Sequence, residues 1–131
     1  MAHRLLHSDY KNGSLQVPVK LPPGGGMILM VSDSKIEKVS LSVSGVKRDS
    51  KAEIKVWVTD KNGKTVPGIL PVAVDIIAPD GTKAEYSASY AAVDGRVSVF
   101  FTPAFNDLPG TWKIRARELA AGNSAEIEFK L

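Results

Sequence analysis

The sequence contains no cysteine and only two histidines, His3 and His7. Without cysteine there can be no disulfide framework, no thiolate metal site and no cysteine nucleophile. The i, i+4 spacing of the histidines would place both on one face of a helix, but no third ligand stands near them. A leading polar tail accounts for them better than a metal site. Long apolar runs are also missing. The longest, Met27 to Val31, spans 5 residues against the ~20 that a membrane-crossing helix needs, so no membrane insertion is expected. Charge of one sign is not gathered anywhere: 17 basic and 14 acidic residues are interspersed and leave a net charge of +3. That is a solvated surface and not a nucleic-acid footprint, which would collect Lys and Arg on one face. The glycine run Gly24 to Gly26 precedes an apolar stretch and not a helix, so no phosphate loop and no cofactor is expected. The opening MAHRLLHSDYKNGS turns polar too soon for a signal peptide. The expected location is extracellular or periplasmic if the chain is a piece of an exported protein, and is otherwise open.

What is present is a repeated grammar of alternating apolar and polar residues broken by turns, which is the mark of half-buried strands. In SLQVPVKL, Leu15, Val17, Val19 and Leu21 share one face. PPGGG then reverses the chain, and Met27 to Val31 supplies a second strand. Residues 1–34 are thus expected to be a tail and a β-hairpin, either the end of a preceding domain or a packed extension. Residues 35–131 are expected to form a β-sandwich. Within it Val39, Leu41 and Val43 point inward, as do Ile54, Val56 and Val58, then Val72, Val74 and Ile76, then Trp112, Ile114 and Ala116, and finally Ile127, Phe129 and Leu131. Pro67, Gly68 and Pro71 suggest a strand that enters late or changes sheets. ARELAAG is the only helical candidate and is too short.

Parity fixes the loops, because a one-residue slip sends every side chain to the wrong face. If Ala84, Tyr86 and Ala88 share the core face with Val72, Val74 and Ile76, then Pro79-Asp80-Gly81 is a three-residue loop with a G1 bulge. The same test makes Asp94-Gly95 a two-residue turn, pairing Tyr90 with Val99 and Ala88 with Phe101. About seven strands at turn spacings of ~8–12 residues make an all-β antiparallel sandwich of immunoglobulin type.

The motifs IKVWVTDKNGKTVPG, VDIIAPDG and PGTWKIRA, with the closing alternating strand, resemble bacterial immunoglobulin-like and macroglobulin-like domains. The resemblance covers most of the chain from Lys38 onward and rests on turn and core motifs. It implies a non-catalytic sandwich. GSLQVPVKLPPGGGMILMV resembles, more loosely, the final strand pair of sandwich domains that accompany secreted glycoside hydrolases. This implies an accessory domain of a larger polysaccharide-degrading protein, with neighbouring domains or polysaccharide as partners.

Three groups of residues carry candidate chemistry. Glu126 and Glu128 lie on one strand face about 7 Å apart, within the ~6.5–9.5 Å used by inverting glycosidases. Cross-strand pairing of Glu126 with Arg117 and of Glu128 with Arg115 accounts for all four residues without catalysis. Asp60, Asn62 and Gly63 match part of a calcium loop, but the later acidic ligands are missing and a plain turn suffices. The aromatics divide by parity. Trp112, Tyr86, Tyr90 and Phe101 face inward, whereas Trp57 and Phe100 face outward with Lys55, Thr59, Ser98 and Thr102 around them. An exposed aromatic face serves to dock a neighbouring domain or to stack on sugar rings. Trp57, Phe100, Lys55 and Thr59 are therefore the candidate interaction surface. The expected role is a structural or interaction module, with carbohydrate binding as the alternative and an acid–base glycosidase as the third reading.

Overall fold

The alternating segments fold as strands with their apolar sides together. The protein is represented by a computed structural model that describes residue 6 and residues 9–131. His3 and His7 lie outside the described residues. The strands are β1 (Asp9–Lys11), β2 (Ser14–Gln16), β3 (Lys38–Ser44), β4 (Ala52–Thr59), β5 (Ile69–Ile77), β6 (Ala88–Val93), β7 (Arg96–Phe101), β8 (Thr111–Glu118) and β9 (Ser124–Lys130). No helix occurs among the described residues. The hydrogen-bonded order is β3-β4-β7-β6-β5-β8-β9, entirely antiparallel. β6 and β7 meet only at Val93 and Arg96, and β3 at one end of the order packs against β8 and β9 at the other. The sheet is thus folded over into two layers, β3-β4-β7 and β6-β5-β8-β9. This is an all-β sandwich.

Between the layers lie the side chains that parity assigned inward: Ile54, Val56 and Val58 of β4, Val72, Val74 and Ile76 of β5, and Trp112, Ile114 and Ala116 of β8, all buried. Each fully buried aliphatic side chain contributes about 1.5–3 kcal/mol. One end of the core is aromatic. Phe101 of β7 and Phe129 of β9 meet across the layers with ring centroids 5.8 Å apart, and Trp112 stacks on Phe129 at 6.0 Å.

Several loops have the expected form. Ala78 donates to Thr82 and Gly81 donates to Ala78, with Gly81 at φ +86. Pro79-Asp80-Gly81 is therefore a three-residue loop closed by a left-handed glycine. Asp94 (φ 49) and Gly95 (φ 71) form a two-residue turn. Pro67 and Gly68 carry the chain from one layer to the other, since β4 pairs with β3 and β7 whereas β5 pairs with β6 and β8.

Four expectations are corrected. First, Ser14–Leu21 does not pair with Met27–Val31. Ser14–Gln16 instead pairs back onto Asp9–Lys11 around Asn12 (φ 50) and Gly13 (φ 75), the residues that a type I′ turn favours. Pro18, Pro22 and Pro23, which lack donors, deny the forward hairpin its ladder. Second, Tyr90 and Ala88 do not face Val99 and Phe101. They pair with Val72 and Val74, while Val99 and Phe101 pair with Ile54 and Ala52. The two strands part because the turn is pinned elsewhere: Asp94 exchanges backbone and side-chain bonds with Gly68, and Val58 donates to Gly95. Third, strand parity fails between Ala84 and Ser87, where Ser87 donates back to Ala84 in a turn. The Ser87 hydroxyl replaces the missing ladder contact, accepting from Ile76 N–H at 2.9 Å. Ala84 and Tyr86 still pack on the core, but Ala88 is exposed. Fourth, β8 and β9 are two residues out of the expected register, with Arg115 opposite Glu126 and Lys113 opposite Glu128.

The fourth difference has a clear cause in Glu118. Its side chain is fully buried, and its carboxylate accepts the N–H groups of Ala120 and Ala121 at 2.9 Å and of Asn123 at 2.8 Å. The loop is drawn tight around this anion, so the ladder closes earlier than an unorganised polar loop would allow.

Candidate functional site

Strand alternation fixes what the outer face of the β3-β4-β7 layer carries. β4 presents Glu53, Lys55, Trp57 and Thr59 outward, and register places Phe100, Ser98 and Arg96 of β7 opposite the first three. On the other side of β4, β3 contributes Ser44, Ser42, Ser40 and Lys38 opposite the same column. The candidate surface residues Trp57, Phe100, Lys55 and Thr59 therefore all lie on one face, but they are not one cluster. Trp57 and Phe100 sit two rungs apart, about 13 Å at ~3.3 Å per residue.

A shallow depression of about 310 Å³ lies between β4 and β7, lined by Lys55, Val56, Trp57, Arg96, Val97 and Ser98. Its origin is legible in side-chain size: Ser98 is small between Arg96 and Phe100, and opposite it stands the long Lys55. Trp57 is half-buried, while Lys55, Arg96 and Ser98 are exposed. Phe100 and Thr59 do not line the depression. Phe100 is 47% exposed, and the Lys51 ammonium stands 4.0 Å from its ring centroid. One face of that ring is thereby occupied by a cation.

The face is positive. Its cations are Lys38, Lys51, Lys55 and Arg96, and its acid is Glu53, whose carboxylate lies 3.5 Å from the Lys55 amine. Among the described residues no ion pair engages Lys38 or Arg96. The opposite outer face is more neutralised. There Lys83 pairs with Asp75 at 2.8 Å, and Glu126 pairs with Lys113 and Arg115, each at 2.9 Å.

Glu126 is held below the ordinary glutamate range by hydrogen bonds from Lys113 first and then Arg115. A glycosidic acid needs the reverse, a carboxyl raised by an apolar pocket. Asp60 is committed locally: its Oδ1 accepts the N–H groups of Asn62 at 2.8 Å and Lys64 at 3.0 Å, which folds the turn around Gly63. Among the described residues no group of three or more His, Asp or Glu side chains is placed to hold a metal.

Ser98, placed by parity on the outward face, lines the site, whereas Arg96 belongs to the site but is not among the residues the sequence marked. The signal that finds Arg96 is the β4–β7 pairing, which joins strands far apart in the chain. No protein-family model matches this chain, and neither does any curated protein.

Proposed function

We propose that this chain is a non-catalytic structural or interaction module of a larger bacterial protein acting outside the cytoplasm, and that the outer face of the β3-β4-β7 layer is its docking surface. The observation that carries the reading is Trp57. It is the largest side chain on a sheet face turned away from the core, and it walls a depression that also holds Lys55, paired with Glu53, and Arg96, which has no ion pair among the described residues. The fold is compatible with an immunoglobulin-like domain, and the macroglobulin-like resemblance of the turn motifs supports a modular role. The alternative, carbohydrate binding, is favoured by the company Trp57 keeps: serine hydroxyls and cations beside an aromatic platform.

Two measurements test the reading. Trp57→Ala is expected to change folding stability by no more than about 1 kcal/mol, as for a surface substitution. A loss above about 3 kcal/mol would make Trp57 a folding residue and remove the docking surface. Immunodetection in the source organism is expected to show a product well above the 14.0 kDa of this chain. A native product of that mass would overturn membership in a larger protein.

A further inference from the structure

We propose that the depression between β4 and β7 binds an acidic polysaccharide built of uronic acids, with Trp57 as the stacking platform and Lys55 and Arg96 as carboxylate ligands. This rests on the reading of the outer face as a docking surface and adds the chemistry of its occupant. The depression, about 310 Å³, is at the small end of the ~300–1,000 Å³ of ligand clefts and is open to solvent. Its lining combines one indole, one primary ammonium, one guanidinium and the Ser98 hydroxyl.

Geometry distributes the roles. Arg96 is directly opposite Trp57, with Cβ atoms about 4.5–5.5 Å apart. Lys55 stands two residues back along the same strand, about 6.6 Å away. A pyranose ring stacked on the indole would present an edge carboxylate between two cations. Arg96 can hold it with two parallel N–H bonds, and it has no ion pair among the described residues to surrender. Ser98, with Ser40 opposite Trp57 on the β3 side, supplies hydroxyls for the sugar.

Charge decides against a neutral glycan, since Arg96 and Lys38, which have no ion pair among the described residues, gain nothing from one. The count of platforms decides against single-stranded nucleic acid. Successive bases stack on several aromatics, whereas this face offers one free ring, Phe100 being capped by Lys51.

Affinity electrophoresis of the full chain tests the proposal, using gels that contain polygalacturonate, alginate, hydroxyethyl cellulose, dextran sulfate or single-stranded DNA. At 150 mM salt, where loose surface attraction is screened to about 8 Å, retardation is expected in the two uronate gels only. Trp57→Ala and Arg96→Gln should each weaken it at least tenfold, whereas Arg117→Gln on the opposite face should leave it intact. Circular dichroism of each variant confirms the fold, and Arg96→Gln keeps the test decisive if Trp57→Ala is poorly folded. The proposal is overturned by absence of retardation in uronates, by retardation that survives both variants, or by equal retardation in dextran sulfate or DNA. Trp57-dependent retardation in the neutral gel alone would overturn the acidic ligand while keeping the docking surface. The docking surface itself fails on the separate stability measurement of Trp57→Ala.

Discussion

Removing the Glu118 carboxylate would leave the N–H groups of Ala120, Ala121 and Asn123 without their acceptor in the β8–β9 loop. A buried donor left unsatisfied costs about 1–3 kcal/mol; these three bonds are part-buried and Ala121 itself is exposed, so Glu118→Ala is expected to lower stability by about 2 kcal/mol or more in urea unfolding. Glu118→Gln keeps the shape and one acceptor oxygen but sets an amide NH2 against the remaining donor, and should fall between the two. A loss below about 1 kcal/mol for the alanine variant would show that solvent replaces the carboxylate. Glu126 acts through charge instead. Hydrogen bonds from Lys113 and then Arg115 lower its pKa in the folded state. Over that window the unfolded chain binds more protons, so the contribution is present above the unfolded value and lost as pH falls. Stability should therefore decline from about pH 4.3, the reference for a free glutamate, toward the lower folded value. Glu126→Gln should flatten this acid limb only slightly, because the pair is exposed. Asp80 is lowered as well, by the backbone and hydroxyl of Thr82, and maintains part of the slope. An unchanged acid limb in Glu126→Gln would sink the assignment.

Two turns of similar sequence behave differently at the scale of elements. Gly63 and Gly95 both have positive φ, +78 and +71, but a Cβ at Gly63 meets nothing within 4 Å, whereas one at Gly95 meets Val58 O at 2.7 Å and Val66 N and O at 2.9 Å. Gly63→Ala should cost only the left-handed penalty, about 1–2 kcal/mol. Gly95→Ala adds collision with backbone that cannot rotate away, in the turn that sends β6 and β7 into separate layers, and should cost about 3 kcal/mol or more. Equal midpoints for the two variants would show that the Gly95 turn relaxes freely. The same contrast explains what the sequence could disclose. Facing is local, carried by the period of 2, and it read β4, β5 and β8 correctly, including the outward Trp57. Partnership is not local. The Asp94-Gly95 turn was visible, yet the bonds to Gly68 and Val58 that divide its strands come from another part of the chain. For the same reason Lys55, Trp57 and the outward Ser98 were legible from facing, whereas Arg96 joined the site only once β7 was seen beside β4. The β8–β9 register depended on a buried carboxylate, Glu118, that the alternation pattern assigns inward but whose loop contacts it cannot show.

At the scale of the whole molecule, the segment before the sandwich and the sandwich itself obey different energetics. Among the described residues the first that is buried in the core is Ile36. Ahead of it the Ser32–Ser34 hydrogen bonds and the β1–β2 ladder are local, and Met27, Ile28, Leu29, Met30 and Val31 are 44–93% exposed. A segment that buries so little apolar area adds little to ΔG and little to the surface uncovered on unfolding, which sets the urea m-value. A chain beginning at Lys35 should therefore unfold within about 0.5 kcal/mol of the full chain and with the same m-value. The Lys35–Glu37 ion pair and the contact from Asn123 to Ile36 O are both retained in it. Association should change where stability does not. Five consecutive exposed apolar residues invite intermolecular contact, so sedimentation should show concentration-dependent self-association in the full chain and a monomer in the shortened one. A fall of more than about 2 kcal/mol together with a smaller m-value would instead mean that the leading segment covers part of the sandwich and belongs to its cooperative unit.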